Sequence, residues 1–434
     1  MKIPEKISLF WFRRDLRLHD NAGLYHALKS GYPVLCIFIF DTNILNALSD
    51  KHDARVTFIY QSVCALHKQL IQHRSSLLIK TGKPVQIFHE LISEYNIAKV
   101  FTNHDYEPYA IKRDEEVQHL LASHGISFHT YKDHVIFEKN EVLSDNGSFY
   151  KVYTPYKKKW LASLTDFYLK EYPVNKYIHN LLVTSPYDIP SLEQIGFKAS
   201  SVKFPPLTIS QKIIKEYDHK RDIPSLDATS HLGIHFRFGT ISIREKARKA
   251  LSLNHTWLSE LIWREFFIQL LYHVPHVVDR PFQSKFERIS WRQDEAQFKR
   301  WCEGTTGYPL VDAGMRELNS TGYMHNRVRM VVASFLTKHL LIDWRWGEAY
   351  FAEKLLDFEL ASNNGNWQWC AGTGADAQPY FRIFNPVAQQ KKFDPDFVYV
   401  KKWLPEYGTS AYPKPIVEHR EAVMRAKEAF NVLK

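Results

Sequence analysis

The sequence contains few cysteines and no long apolar run. Its four cysteines, Cys36, Cys64, Cys302 and Cys370, are scattered without C-x-x-C or Cys/His spacing, so neither a disulfide framework nor a zinc site is supported. No uncharged stretch approaches the ~20 residues of a membrane span, and charges interrupt the opening MKIPEKISLFWFRRD before a signal-peptide core could form. We therefore expect a soluble protein of cytoplasmic localisation, with reduced cysteines and no bound metal.

Positive charge is concentrated in the second half of the chain. The 434 residues carry a net charge of +10, and positions 201–434 hold 33 Lys and Arg against 26 Asp and Glu. The same positions contain nine of the eleven tryptophans. Basic groups interleaved with flat aromatic rings suit phosphate contact and base stacking, so this half is the expected polyanion binder. Composition alone leaves open a basic protein that binds no nucleic acid.

Periodicity divides the chain into three parts. Short apolar runs (ISLFWF, VLCIFIF, SLLIK, AKVFT and ISFHT) alternate with helical stretches over 1–133, which predicts a parallel, Rossmann-like α/β domain. No GxGxxG follows the first run, so the usual dinucleotide fingerprint is absent. Residues 134–206 are rich in turn signals and predict a long interdomain linker with little regular structure. Apolar residues three and four apart over 207–434 predict a larger all-α domain.

The motif ELIWREF places three functional side chains on one face of a predicted helix. Glu260, Trp263 and Arg264 stand at positions i, i+3 and i+4. The apolar flanks predict that this polar trio lines a cavity. The alternative is a surface Glu–Arg pair beside a core tryptophan.

The motif TGYMHNRVRM places a carboxamide one helical turn from a thioether. Asn326 and Met330 are four residues apart, whereas Arg327 and Arg329 point elsewhere on the helix. A carboxamide beside a polarizable wall suits the edge of a pyrimidine. The alternative is a capped helix start with methionine as filler.

The stretch DFELASNNGNWQWCAGTG is the most informative in the chain. It combines carboxylates, carboxamides, an expected glycine turn and paired indoles, at Asp357, Glu359, Asn363, Asn364, Trp367 and Trp369. Small residues let a backbone approach a flat ligand, carboxylates can hold hydroxyls or an arginine, and indoles offer stacking surfaces or redox centres. These residues predict a ligand site.

These motifs together resemble the photolyase/cryptochrome family, and within it most closely the class I photolyases that act on cyclobutane pyrimidine dimers. The resemblance extends from FWFRRDLRLHDN through YTPYKKKW, ELIWREF, GYMHNRVRM and NNGNWQW to PYFRIFNP. It implies an α/β N-terminal domain, a wrapping linker and a helical domain that holds FAD at the bottom of a cavity open to DNA.

The resemblance also assigns roles to individual positions. It implies FAD contacts at Tyr217, Thr229, Ser230, His231, Leu232, Gly233, Trp257, Arg329, Asp357, Glu359 and Asn363. It implies a dimer and DNA site formed by Glu260, Trp263, Asn326, Met330 and Trp369, with Arg221, Arg264 and Arg327 among the contacts. It implies an electron-transfer chain of Trp367, Trp344 and Trp291, and an antenna contact at Glu107, which could equally be a helix-capping carboxylate.

The function implied is light-dependent repair of cyclobutane pyrimidine dimers by electron transfer from reduced, anionic FAD. The implied partner is double-stranded or single-stranded DNA containing such dimers, bound by a monomer that needs no protein partner or membrane and associates with the nucleoid. A second, antenna chromophore of folate, deazaflavin or flavin type stays open. The main alternative is a cryptochrome, a blue-light receptor on the same scaffold. One departure from the family stands at Gly233 and Ile234, where many relatives have serine and proline.

Overall fold

The computed structural model describes residues 3–379 and 381–431. The chain divides into two compact units that interleave along the sequence. The first comprises residues up to 141 with 163–207 and 234–251, and the second comprises 142–162, 208–233 and the residues from 252 onward. The predicted borders at 133/134 and 206/207 instead divide the chain into three consecutive parts.

The first unit is built on a parallel five-stranded sheet. Its strands are β1 (Ile3–Phe12), β2 (Val34–Asp41), β3 (Leu77–Gly82), β4 (Tyr95–Asn103) and β5 (Ser127–Tyr131). They are ordered β3-β2-β1-β4-β5, and every pairing is parallel. All eight residues of β2 are buried, as expected for a parallel sheet covered on both faces. The predicted α/β fold is therefore confirmed.

Helices connect these strands in the first unit. Asp53 is the N-cap of the longest of them and accepts a hydrogen bond from the Arg55 backbone N–H at 2.8 Å. The helices that lie wholly or mostly in this unit are Ala22–Leu28, Thr42–Leu45, Ala54–Gln72, Pro84–Glu94, Pro108–Ser123, Asp166–Leu169, Gly233–Phe238 and Ile243–Leu253.

The second unit is helical, as predicted. Its helices are Tyr153–Ser163, Gln211–Lys215, Tyr217–Lys220, His255–His273, Glu295–Glu303, Pro309–Thr321, Asn326–Ser334, Trp344–Lys354, Leu360–Ala371, Pro386–Phe393, Val398–Trp403 and His419–Asn431. A π-helical segment, Phe335–His339, continues the helix that carries Asn326. The fully buried large side chains of this unit include Trp301, Trp344, Phe335 and Tyr399, which belong to one hydrophobic cluster.

The predicted linker contains more regular structure than its turn signals indicate. Helix Tyr153–Ser163 forms from YTPYKKKWLAS, whose three buried members are Tyr153, Tyr156 and Trp160. The Trp160 indole N–H donates to Glu265 at 2.5 Å. Burial of these rings stabilises a helix that proline and three consecutive lysines obscure in the sequence.

The glycine turn expected after Asn364 is wrong. Gly365 lies inside helix Leu360–Ala371, and a Cβ atom there would stand 2.1 Å from Cδ1 of Phe267. The glycine therefore allows two helices to pack closely and does not reverse the chain.

All four cysteines are free thiols. In the described ranges, with their gap at residue 380, no group of three or more His, Cys, Asp or Glu side chains could hold a metal ion. Nor does this part of the chain contain a helix with the length and apolarity needed to cross a bilayer.

Candidate functional site

The second unit contains an open cavity of about 460 Å³. Its wall collects most of the predicted site residues from four separate segments of the chain. The predicted members that line it are Tyr217, Arg221, Thr229, Ser230, His231, Leu232, Gly233, Glu260, Trp263, Arg264, Asn326, Arg327, Arg329, Met330, Asp357 and Trp369. We call this space the main cavity.

A smaller pocket of about 90 Å³ adjoins the main cavity. Asn326, Arg329, Met330 and Asp357 belong to the walls of both spaces, so the two are adjacent. Three further predicted residues, Glu359, Asn363 and Trp367, line only this smaller pocket, which we call the inner pocket.

Glu260 pairs with Arg221, which stands 39 residues earlier in the chain. The two side chains are each about one-third exposed, at 32% and 35%. Burial raises the pKa of the Glu260 carboxyl, and the Arg221 guanidinium opposes that shift. Arg264 instead donates to Glu359 at 2.8 Å. The alternative of an i, i+4 pair between Glu260 and Arg264 is therefore wrong.

Trp263 is held in place by a second aromatic ring. Its indole stacks on Tyr153 with ring centroids 3.5 Å apart and planes 7° apart. The Tyr153 hydroxyl donates to the Ser259 carbonyl at 2.9 Å. Sequence reasoning missed Tyr153 because it lies in the predicted linker, although the motif YTPYKKKW pointed to this segment.

Two of the arginines that the resemblance implies as DNA contacts are already paired with carboxylates. Arg221 contacts Glu260, and Arg327 donates to Asp222 at 2.8 Å while lying over the ring of Phe393. The Arg327 Nε atom is buried and makes no hydrogen bond within the described residues. An incoming anion would therefore meet guanidinium groups whose partners it must share or displace.

Arg329 and Asp357 form a bidentate pair between the two spaces. The two guanidinium nitrogens of Arg329 donate to the carboxylate oxygens at 3.2 and 2.9 Å. A Cβ atom at Gly233 would stand 2.7 Å from Cβ of Asp357. The glycine that replaces the usual serine therefore lets the backbone approach this pair closely.

Asn363 is oriented by Glu348, a residue that the sequence did not single out. Its side-chain amide donates to Glu348 Oε1 at 2.8 Å and to the Glu348 carbonyl at 3.1 Å. Burial raises the pKa of the Glu348 carboxyl. Within residues 3–379 and 381–431, the side-chain oxygen of Asn363 makes no hydrogen bond, and neither does any atom of the Asn326 side-chain amide. Both groups can therefore bind a ligand.

The predicted tryptophans have different neighbours. Trp367 is buried against the inner pocket and makes its ring contacts with Trp301 and Phe351, at 6.1 and 5.0 Å between centroids. Trp344 is buried and Trp291 half-buried in the same hydrophobic core, and within the described part of the chain neither forms an aromatic ring pair with Trp367. Trp257 is buried and does not line either space.

Glu107 lies in the first unit and is engaged in ion pairs. It accepts hydrogen bonds from Arg237 at 2.5 Å and from Arg14 at 3.1 Å. Although it stands at the N-cap of helix Pro108–Ser123, its side chain makes no capping hydrogen bond. The capping alternative is therefore wrong, and the antenna contact stays a prediction.

The residues of the two spaces fit a flavin nucleotide chemically. Hydroxyls at Thr229 and Ser230 and the guanidinium of Arg329 suit phosphate and ribityl oxygens, while Asn363 lines a pocket bordered by the indole of Trp367. Comparison with known proteins agrees. The family of DNA photolyase domains matches residues 8–175, and the FAD-binding domain of DNA photolyase matches residues 257–410.

A deoxyribodipyrimidine photo-lyase of a Synechococcus species is 36% identical over 98% of this chain and 96% of its own length. The chain belongs to the photolyase/cryptochrome family. A class III photolyase from Agrobacterium tumefaciens has a TM-score of 0.87 at 32% identity, covering 100% of this chain and 98% of its own. A Synechocystis cryptochrome has a TM-score of 0.84 at 26% identity, covering 99% and 100%.

These matches confirm three predictions. The fold is that of photolyases and cryptochromes, the helical domain is an FAD-binding domain, and relatives matched over nearly their full length are photo-lyases. The type of photolyase within the family and the roles of individual residues stay predictions.

Proposed function

We propose that this photolyase-family protein uses light to split cyclobutane pyrimidine dimers in DNA. The observation that carries the proposal is the convergence of Glu260, Trp263, Asn326, Met330 and Trp369 on one cavity wall, although they come from three separate helices. The cavity, at about 460 Å³, falls within the range of about 300–1,000 Å³ that is typical of small-molecule sites.

Such a cavity can accept a lesion only when the lesion leaves the duplex. A dimer already stacks and pairs poorly, so extruding it costs a few kcal/mol, less than an intact pair would cost. Trp263 and Trp369 supply apolar surfaces for the linked bases, and Met330 supplies a polarizable one. Damage therefore contributes to its own recognition.

Glu260 and Asn326 would bind the polar edges of the dimer. The Asn326 carboxamide can donate and accept, and within the described residues it has no partner to give up. Burial raises the pKa of Glu260, and the carboxyl can donate to a pyrimidine carbonyl when it is protonated. A donor at that oxygen stabilises the negative charge that develops when the dimer accepts an electron.

Tyr217, Thr229, Ser230, Arg329 and Asp357 would hold FAD, with Asn363 facing its ring system. When bound and reduced, FAD supplies a light-driven electron donor. Splitting breaks the two carbon–carbon bonds that join the pyrimidines. The electron that entered the dimer goes back to its donor after these bonds break, so no external oxidant or reductant is consumed.

Arg221 and Arg327 would bind DNA phosphates by exchanging the carboxylates that they now contact. Binding should weaken as salt rises and should not depend on flanking sequence. The proposal extends to dimers in single-stranded DNA, to a protein acting as a monomer, and to an antenna chromophore in the first unit near Glu107.

A cryptochrome-type receptor is the second candidate, favoured by the likeness to the Synechocystis protein. The two functions differ in what light does to DNA. FAD-loaded protein should be illuminated with three matched oligonucleotides that contain a cyclobutane dimer, a (6-4) lesion or no lesion. The proposal expects loss of the cyclobutane dimer alone, with intact pyrimidines restored. Light-induced change in the protein with every lesion left intact would favour the receptor.

A further inference from the structure

An unbroken series of aromatic contacts leads from the inner pocket through Trp301 to Trp346. Trp367, which lines the pocket, lies 6.1 Å from Trp301 between ring centroids. Trp301 lies 5.7 Å from Phe298, and Phe298 lies 5.2 Å from Trp346. We propose that Trp301 and Trp346 form a second electron relay to Trp367, distinct from the predicted route through Trp344 and Trp291.

Trp301 has the environment of an intermediate relay. Its indole is fully buried, and its N–H donates to the Val332 carbonyl at 3.2 Å. A carbonyl oxygen accepts a hydrogen bond but is too weak a base to take the proton. An oxidised Trp301 therefore keeps its proton and can recover an electron from a neighbouring ring. Phe298 is much harder to oxidise than indole and serves as a spacer between the two tryptophans.

Trp346 has the environment of a terminal donor. Its side chain is half-buried. Within residues 3–379 and 381–431 its indole N–H has no hydrogen-bond partner and is not among the buried unpaired groups, so it reaches solvent. Loss of that proton to water would trap the oxidised indole at the surface, away from the inner pocket.

Tyr350 is the competing terminus, since its ring lies 5.8 Å from Trp301. Its hydroxyl donates to the side-chain oxygen of Asn319 at 2.7 Å, and burial raises the pKa of Tyr350. A carboxamide does not accept a proton readily, whereas an oxidised phenol must release one. The surroundings of Tyr350 therefore favour Trp346 as the terminal donor.

The electrons balance as follows. Each photon moves one electron from Trp367 to oxidised FAD in its excited state, Trp301 refills Trp367, and Trp346 refills Trp301. The oxidised Trp346 releases its N–H proton to water. An external thiol then returns one electron and one proton to it, and two thiols oxidised in this way form a disulfide. This relay rests on FAD binding next to Trp367 and requires no DNA.

The test compares photoreduction by blue light, with oxidised FAD bound and a thiol present, in wild type and in Trp344→Phe. We expect Trp344→Phe to retain part of the wild-type rate. Adding Trp346→Phe or Trp301→Phe should remove that remainder. Adding Trp403→Phe, which deletes another tryptophan packed on the same core, should not change it. FAD content and the thermal midpoint verify that each variant folds. If Trp301→Phe does not fold, the variant at the half-buried Trp346 still tests the relay.

A second readout identifies the radical. After a flash, Trp344→Phe should show a deprotonated tryptophan radical by transient absorption and electron paramagnetic resonance, and Trp344→Phe/Trp346→Phe should not. Prolonged illumination should add oxygen to the peptide containing Trp346.

Complete loss of photoreduction in Trp344→Phe would overturn the relay, as would an unchanged rate after Trp346→Phe is added. A tyrosine radical removed by Tyr350→Phe would overturn the terminal role of Trp346. If the photoreduction and radical results are as expected but dimers are not repaired, only the proposed function is contradicted.

Discussion

The indole of Trp263 lies parallel to the phenol ring of Tyr153, with centroids 3.5 Å apart. Tyr153 belongs to helix Tyr153–Ser163, and Trp263 belongs to helix His255–His273. The stack joins two helices and fixes the angle of an indole that lines the main cavity. The cavity wall is therefore organised before any ligand arrives, which reduces the ordering cost of binding.

Replacing Tyr153 with alanine should loosen Trp263 and weaken binding of dimer-containing DNA. An aromatic pair contributes about 0.5–1.5 kcal/mol beyond its buried area, which corresponds to a loss of about 2- to 10-fold in affinity. Tyr153→Phe retains the stack and is the matched control. Binding in the dark to an oligonucleotide with one dimer measures the effect. Equal affinities for the alanine and phenylalanine variants would contradict a positioning role for the stack.

Glu260→Ala should lower the yield of dimer splitting, because the carboxyl lines the cavity. FAD should stay bound, because Glu260 forms its ion pair with Arg221 and not with a predicted FAD contact. Glu260→Gln keeps an N–H donor in the same place and should retain most of the yield. The measurement is the number of dimers split per absorbed photon. Loss of FAD from the alanine variant would contradict the assigned position.

The same carboxyl should give the protein a pH dependence. Burial raises the pKa of Glu260 in the folded state above its value in the unfolded chain, so the folded state binds the proton more tightly. This contribution to stability is fully present below about pH 4.3 and is lost as pH rises through the folded pKa. The thermal midpoint of wild type minus that of Glu260→Gln should therefore decrease as pH rises from about 4.3. An increase of this difference with pH would mean that folding lowers the pKa of Glu260, which would contradict the predicted direction.

Restoring the usual serine at Gly233 should damage the FAD site. A Cβ atom there would press on the Asp357 side chain and disturb its bidentate pair with Arg329. Overpacking of this kind costs about 1–3 kcal/mol, so Gly233→Ser should lower both FAD content and the free energy of unfolding. Ala349→Ser adds a hydroxyl at an exposed position and serves as the control. Full FAD content in Gly233→Ser would show that the loop can move away at no cost.

Asn326→Ala should weaken dimer binding without affecting FAD content. The exposed carboxamide makes no hydrogen bond within the described residues, so its removal leaves no unpaired protein group. Loss of one neutral hydrogen bond to the dimer costs about 0.5–1.5 kcal/mol. Asn43→Ala removes an exposed carboxamide in the first unit and controls for the substitution. An affinity of Asn326→Ala for dimer-containing DNA equal to that of wild type and of Asn43→Ala would contradict the predicted contact.

Local patterns in the sequence predicted the fold and the cavity residues that belong to the three motifs. The expectation that Arg327 and Arg329 point elsewhere on their helix is wrong, because both line the same cavity as Asn326 and Met330. The strands follow from short continuous apolar runs and the helices from apolar residues three and four apart, both of which report on burial. The members of ELIWREF face a cavity because the helix places positions i, i+3 and i+4 together. The resemblance then indicated which distant segments share that cavity.

Partnerships between distant residues could not be predicted in this way. Glu260 pairs with Arg221 rather than with its helical neighbour Arg264, because the choice depends on tertiary packing. Gly365 gives the signal of a turn, yet it supports helix packing against Phe267, and no local pattern distinguishes the two. Orientation of Asn363 by Glu348 likewise depends on contact between two helices.

The most direct test is illumination of protein whose bound FAD has been reduced chemically, mixed with DNA that contains cyclobutane dimers, against an identical sample kept in the dark. The account predicts that dimers disappear only in the light and that intact pyrimidines appear in equal number. Dimers that persist under blue light, with reduced FAD bound and DNA in the complex, would contradict it.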